Sequence, residues 1–153
     1  EQFKGYKFAT ERSQHLMSLG IPLNTDSTLK GQTVFLAERC GELMHDNIIT
    51  DRTILDVTAF TLNAKSIPYQ DKEAFETYAS EFIREYDYIF YISPQGLEIE
   101  DNGVRETNEQ YRNLIDSTIT TLIKRHGHKA GAIEKISGST EERIQQILNV
   151  TKL

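Results

Sequence analysis

The sequence predicts a single α/β domain with a mostly parallel sheet, and two observations support this prediction. Short apolar segments alternate along the chain with longer segments that repeat apolar residues every three or four positions. Parallel strands need a crossover of about a dozen residues, which the longer segments provide as helices. A chain of 153 residues also has the length of one ordinary domain, so we expect residues 1–153 to share one core.

Short apolar runs mark the candidate strands, which cover residues 6–9, 47–50, 88–92 and 132–136. The clearest helix covers residues 72–86, where aromatic and aliphatic side chains form one stripe. Further helical patterns cover residues 29–45, 53–64, 107–125 and 140–150. Ser139 and Glu142 have the spacing of a capping box, which starts the last helix.

The charge balance excludes some classes of partner. The chain has 17 Lys and Arg against 23 Asp and Glu, and the net charge of −6 argues against a groove that binds duplex DNA. A local basic pocket for a small phosphate is compatible with this charge.

The single cysteine, Cys40, cannot form an internal disulfide, and no apolar segment is long enough to span a bilayer. The sequence therefore predicts a cytoplasmic protein without a membrane segment.

Residues that follow the strands are the candidate site residues, because parallel α/β sheets bind ligands at the carboxyl ends of their strands. Glu11 and Arg12 follow the first candidate strand, and Asp51 and Arg52 follow the second. An arginine offers a fixed fork of donors to a phosphate, and a carboxylate holds Mg²⁺ or accepts a hydroxyl proton. Acid–arginine pairs at two strand ends therefore indicate phosphate chemistry. The alternative is a helix cap at Asp51 with a solvated Arg52.

Two further arginines are candidates for nucleotide binding. Phe35 and Arg39 lie four residues apart on one helix face, where a ring and a guanidinium can grip a planar base together. The alternative places Phe35 in the core and pairs Arg39 with Glu42 or Asp46 at the surface. Arg105 lies in a polar loop before a long helix, where a lid over a nucleotide places an arginine. A solvated loop is the alternative for that residue.

Taken in chain order, these segments resemble the P-loop nucleoside and nucleotide kinases. The similarity is strongest to the thymidylate-kinase-like group and extends to the AAA ATPase domains of the nicotinamide-riboside-kinase type. Phe-Leu-Ala-Glu-Arg at 35–39 is similar to the family helix that stacks a Phe on the base and reaches the base edge with an Arg. Ile-Ile-Thr-Asp-Arg at 48–52 resembles the family strand end that serves the acceptor phosphate and the metal.

The resemblance implies a three-layer P-loop NTPase-like sheet with helices on both faces. It also implies Mg²⁺-dependent phosphoryl transfer from ATP to a small nucleoside or nucleotide, and it is compatible with a homodimer. The residues that it assigns to catalysis are Asp51, Arg52 and Arg105, of which Asp51 also binds the metal. The residues that it assigns to the acceptor are Phe35, Arg39, Arg12 and Glu11. The loop that it assigns to ATP contains Ser137 and Gly138.

Two features depart from the family pattern. Glu11 precedes Arg12, whereas the thymidylate kinases have the arginine first and a Pro-Gly after the acid. The phosphate loop Gly-x-x-x-x-Gly-Lys-Ser/Thr occurs nowhere in the 153 residues, although the family places it after a first, central strand. We therefore expect a strand, loop and helix of roughly 25 to 30 residues to be missing from this chain, and the chain alone to be inactive. A kinase-derived nucleotide-binding or scaffold protein without catalysis is the alternative.

Overall fold

The computed structural model describes residues 3–10, 12–94 and 108–152. Within these ranges, helices and strands alternate along the chain, as the sequence predicts. The strands are β1 (Lys7–Ala9), β2 (Ile48–Thr50), β3 (Tyr88–Ile92) and β4 (Ala132–Ile136). The helices are α1 (Ser13–Ser18), α2 (Leu29–Glu42), α3 (Ile54–Asn63), α4 (Tyr69–Ala79), α5 (Glu109–His126) and α6 (Thr140–Thr151). Short 3-10 segments cover Asn24–Asp26, Ser80–Glu85 and Gly127–Lys129.

All of the strand pairing among the described residues is parallel, which confirms the predicted α/β class. β1 pairs with β2, with Phe8 opposite Ile49, and β3 pairs with β4, with Phe90 opposite Glu134. The described strands therefore form two separate sheets of two strands each. β2 and β3 line the space between the sheets along their whole length, and Ile136 at the end of β4 also contributes to it.

The predicted bounds of the strands agree with the structure to within one residue, whereas the predicted bounds of the helices are less accurate. β3 and β4 have the predicted bounds, and β1 and β2 each begin one residue later than predicted. The predicted helix at 72–86 is wrong at both ends: α4 begins at Tyr69 and ends at Ala79, and a 3-10 segment follows it. Pro68 is the N-cap of α4, with a φ of −59° and a ψ of 151°, so the helix begins at the residue directly after the proline. α1 was not predicted, since six residues are too few to show a helical period.

Helix α3 is the centre of the hydrophobic core. Its sequence Ile-Leu-Asp-Val-Thr-Ala-Phe-Thr-Leu-Asn buries apolar side chains against α2, α4 and α5. Thr58 and Thr61 are also buried, and their hydroxyls donate to backbone carbonyls one turn earlier, which removes the cost of burying them. The helix begins with a capping box in which the Thr53 N–H donates to Asp56 Oδ2 at 2.7 Å. This cap fixes α3 directly behind the end of β2.

Two sets of hydrogen bonds connect segments that are distant from each other in the sequence. The Ile54 N–H donates to the Tyr86 hydroxyl at 3.2 Å, which connects the start of α3 to the segment before β3. Burial raises the pKa of Tyr86 well above its ordinary value, so the phenol stays neutral. On α4, Glu76 accepts hydrogen bonds from Arg125 and His126 at the end of α5.

Among the described helices, none is long and apolar enough to cross a membrane.

Candidate functional site

A cavity of about 1330 Å³ lies between the two sheets. Every residue of β2 and β3 contributes to its lining. Helices α3 and α5 add apolar side chains, namely Leu55, Val57, Phe60, Ile115, Ile119 and Ile123. Charged side chains line it as well, including Arg12, Arg39, Asp51, Arg52, Arg112 and Asp116. Pockets for small molecules usually measure about 300–1,000 Å³, so one small ligand does not fill this space.

The turn after β2 contains Asp51 and Arg52, and it holds Arg52 in an unusual backbone conformation. The Asp51 N–H donates to the Ala9 carbonyl at 2.8 Å, which extends the β1–β2 ladder by one bond. Arg52 then has a φ of +76°, in the left-handed region that costs a residue with a side chain about 1–3 kcal/mol. The Thr50 hydroxyl donates to the Arg52 carbonyl at 2.9 Å and helps to hold this conformation. Strained residues of this kind cluster at functional sites.

Arg39 on α2 is the buried charge that supports this turn. Its side chain is 4% exposed, and Nη1 donates to the carbonyls of Asp51 at 3.0 Å and Arg52 at 3.4 Å. The same nitrogen lies 3.0 Å from Glu42 Oε2. Burial raises the pKa of Glu42, although the positive charge of Arg39 opposes that rise. The pair anticipated between Arg39 and Glu42 is therefore present, but in the interior and not at the surface.

The remaining candidates on this side of the cavity surround the turn. Phe35 is half-buried, packs against the core and also lines the cavity. Arg12 is exposed, and its Nε lies 3.6 Å from Glu38 Oε2. The Arg52 guanidinium lies 5.5 Å from the centre of the Phe60 ring, within range of a cation–π interaction. The structure thus brings the arginines and the aromatic ring predicted for this region to one cavity.

Two predicted residues and one predicted loop lie elsewhere. Glu11 and Arg105 fall outside the described residues. Ser137 and Gly138 line a separate pocket of about 410 Å³ beside α6. There, the side chain of Gln146 donates to the Ser137 carbonyl at 2.7 Å and accepts from the Ser137 N–H at 3.3 Å. Gly138 has a φ of +95°, a conformation that glycine adopts without strain.

The alternative of a helix cap at Asp51 is wrong, because Thr53 caps α3. The carboxylate that completes this cap belongs to Asp56, which is half-buried. Asp51 itself is exposed at the end of β2 and lines the cavity. The cap therefore leaves the side chain of Asp51 available to a ligand.

Sequence reasoning missed three polar residues on the β3 side of the cavity. The Tyr91 hydroxyl donates to Asp116 Oδ1 at 2.6 Å, and Arg112 lies one turn before Asp116 on α5. Burial and the neighbouring carboxylate both raise the pKa of Tyr91. The available signal was a pair of charged residues with i, i+4 spacing next to the apolar stripe of α5.

The site residues fit one mode of magnesium binding and lack the backbone cradle that a triphosphate needs. In the described ranges, no three His, Cys, Asp or Glu side chains lie close enough to form a metal centre. Mg²⁺ is often bound by one or two carboxylates together with substrate phosphates, and Asp51 fits that mode. Triphosphates need a cradle of backbone N–H groups, and the sequence has no glycine-rich phosphate loop to form one.

Comparisons with known proteins give this chain no relatives. No protein-family model matches it, and neither the curated proteins nor the solved structures contain a significant match.

Proposed function

We propose that this chain is a nucleoside or nucleoside-monophosphate kinase-like domain that carries the acceptor side of a Mg²⁺-dependent phosphotransferase. The observation that supports this proposal most directly is the position of Arg12, Asp51 and Arg52. All three follow a strand of one parallel pair and line one cavity. The carboxyl edge of a parallel sheet is the usual ligand site of α/β proteins, and these residue types suit a phosphate.

Each residue has a role in this proposal. With a nucleoside-monophosphate acceptor, Arg12 and Arg52 bind its phosphate, a phosphate oxygen attacks the γ-phosphorus of ATP with ADP as the leaving group, and Asp51 contributes one ligand to Mg²⁺. With a nucleoside acceptor, Asp51 instead accepts the proton of the attacking hydroxyl. Phe35 stacks on the base of the acceptor, and Arg39 contacts the base edge. All of the Arg39 contacts described above use Nη1, so Nε and Nη2 are the donors proposed for that edge. ATP supplies the phosphoryl group.

The proposal includes a three-layer sheet in which a fifth strand lies between β2 and β3. In the described structure, each of these strands is paired with a neighbour on one side, and both border the cavity on the other. Buried backbone groups without partners are costly, and a parallel strand between β2 and β3 would satisfy them. The apolar side chains from α3 and α5 suit a strand that is buried on both faces. The loop after this strand would then lie near Asp51 and supply the missing phosphate cradle.

A cytoplasmic location belongs to the same proposal. Cys40 is half-buried, and burial raises the pKa of its thiol, which disfavours the reactive thiolate. An unreactive single thiol suits a reducing compartment.

The test is phosphoryl transfer by the protein as its gene encodes it, with ATP and Mg²⁺ and a panel of nucleosides and nucleoside monophosphates. We expect Asp51→Asn and Arg52→Gln to lower kcat/KM by about 100-fold or more, as the loss of a charged group in the site does. The matched controls are Asp71→Asn and Arg84→Gln, which change the same residue types on α4 and in the 3-10 segment after it. Both controls should retain activity.

The outcomes separate the two functions considered. Transfer to one acceptor class that depends on Asp51 and Arg52 supports the kinase. Binding of a monophosphate without any transfer overturns the kinase and supports the inactive binding or scaffold protein. Absence of both binding and transfer overturns both.

A further inference from the structure

The cavity has a buried polar end that plays no part in the proposal above. Ser27 and Gln32, at the start of α2, both line the cavity, and their exposed fractions are 0% and 4%. Within the described ranges, the Ser27 hydroxyl has no hydrogen-bond partner, and neither does the side chain of Gln32. Buried polar groups in proteins are nearly always hydrogen-bonded, so these two side chains indicate a ligand that supplies hydrogen bonds.

The start of α2 brings these two side chains to one place. Thr28 is the N-cap of the helix, and its side chain accepts from the Gly31 N–H at 3.1 Å. Ser27 is therefore the residue before the cap and Gln32 the fourth residue of the helix, two positions whose side chains pack together at many helix starts. The Ser27 carbonyl accepts from the Ser66 hydroxyl at 2.7 Å, which fixes its backbone. A polar pair thus occupies positions that usually hold an apolar contact.

This polar end lies next to the ring proposed to stack on the base. Gln32, Phe35 and Arg39 have i, i+3, i+7 spacing, so they share one face of α2, and all three line the cavity. Along the helix axis, Gln32 lies about 4.5 Å before Phe35, and Arg39 lies about 6 Å after it. A base stacked on Phe35 therefore has Arg39 towards one edge and Gln32 towards another. Arg39 contacts the turn after β2, so the Gln32 end lies about 10 Å along α2 from that turn.

The chemistry of this end suits a neutral base edge. A carboxamide offers donors beside an acceptor, and base edges also carry donors next to acceptors, which is why Asn and Gln form paired hydrogen bonds with bases. A serine hydroxyl donates one further bond and accepts others. A phosphate, in contrast, only accepts, and it would place its negative charge against the buried carboxamide oxygen.

We propose that Ser27 and Gln32 bind the hydrogen-bonding edge of the acceptor's base, opposite the edge that Arg39 contacts. This inference rests on the proposed function, because it assumes that the base stacks on Phe35. It deepens that proposal by making the base a requirement for tight binding, so that a sugar phosphate without a base is a poor ligand.

The experiment is calorimetric titration of the protein as its gene encodes it. The probes are the 5′-monophosphates of adenosine, guanosine, cytidine, uridine and thymidine, with ribose 5-phosphate and deoxyribose 5-phosphate as matching probes without a base. The base preference is the Kd of the sugar phosphate divided by the Kd of the monophosphate that binds most tightly. The variants are Ser27→Ala and Gln32→Leu. Ser18→Ala and Gln70→Leu are the matched controls, because both residues are exposed and neither lines the cavity.

Both variants should lose base preference while keeping the fold. We expect each to reduce the base preference by about three- to tenfold, as the loss of one or two neutral hydrogen bonds does, and to bind the sugar phosphates like the wild type. Without ligand, Ser27→Ala should match or exceed the wild type in its urea midpoint, since a buried hydroxyl without a partner destabilises a protein. Both controls should match the wild type in base preference.

The results distinguish this inference from the proposed function. If the wild type binds none of the probes, the proposed function fails and this inference fails with it. If the wild type binds monophosphates and both variants keep its base preference, this inference alone is overturned, and the two side chains bind water only. Equal weakening of monophosphates and sugar phosphates also overturns it, because the base is then not the group that is contacted. A lower urea midpoint for Ser27→Ala overturns the role of Ser27, because its hydroxyl then serves the fold.

Discussion

Replacing Arg39 by methionine is expected to destabilise the protein by about 3–5 kcal/mol, the cost of removing one partner from a buried ion pair. The Arg39 and Glu42 side chains are 4% and 13% exposed and lie 3.0 Å apart, so the variant leaves the Glu42 carboxylate largely buried without its partner. The variant also removes the donor to the carbonyls of Asp51 and Arg52. Methionine keeps most of the apolar volume, so the loss measures the charge and its hydrogen bonds.

Urea unfolding measures this loss directly. With a slope of about 1–3 kcal/mol per molar urea, the midpoint should fall by about 1–5 M. The double variant Arg39→Met with Glu42→Met should recover much of the stability, because no charge is then left buried alone. Arg84→Met is the surface control: this arginine is 60% exposed and pairs with Glu81, so its loss should cost less than about 1 kcal/mol. A loss of that small size for Arg39→Met would refute the reasoning.

Three further predictions concern single side chains. Burial raises the pKa of Glu76, but the hydrogen bonds and charges of Arg125 and His126 together lower it below its ordinary value of 4.5. The stabilisation that Glu76 provides is therefore complete above about pH 4.5 and is lost as the pH falls through the native pKa. Glu76→Gln should flatten that acid loss in urea midpoints measured from pH 7 to pH 3. Tyr86→Phe leaves a buried N–H without its acceptor and should cost about 1–3 kcal/mol in the same assay. Gly138→Ala should lower the thermal midpoint because φ is +95° there, whereas Gly41→Ala, in open space on α2, should raise it.

The elements that sequence analysis located well are those with a strong local signal. The run Tyr-Ile-Phe-Tyr-Ile gives β3 its bounds, because a continuous apolar run between polar residues fits a buried parallel strand. The capping box at Ser139 is present as predicted, since both of its partners lie within one turn. Signals of this kind are carried by neighbouring residues and need no knowledge of the rest of the fold.

The contacts that were missed depend on distant residues. Arg39 is buried because the carbonyls of residues 51 and 52 lie within its reach, and nothing near Arg39 in sequence indicates that contact. The Tyr91–Asp116 hydrogen bond joins residues 25 positions apart, so the local sequence does not predict it either. The capping box at Thr53 has the usual spacing of three residues, but its second residue is Asp56, whereas a capping box usually has Glu or Gln at that position. Sequence analysis therefore did not predict this cap.

The strain at Arg52 connects stability to the proposed site. A glycine adopts a φ of +76° without penalty, yet an arginine occupies this position and its backbone is held by Thr50 and Arg39. The same buried guanidinium fixes the Asp51 carbonyl, so the backbone at both Asp51 and Arg52 depends on Arg39 for its orientation. Loss of Arg39 should therefore impair stability and ligand binding together, whereas loss of Glu76, which does not line the cavity, should impair stability alone. Measuring both quantities in both variants tests whether Arg39 serves the ligand site as well as the fold.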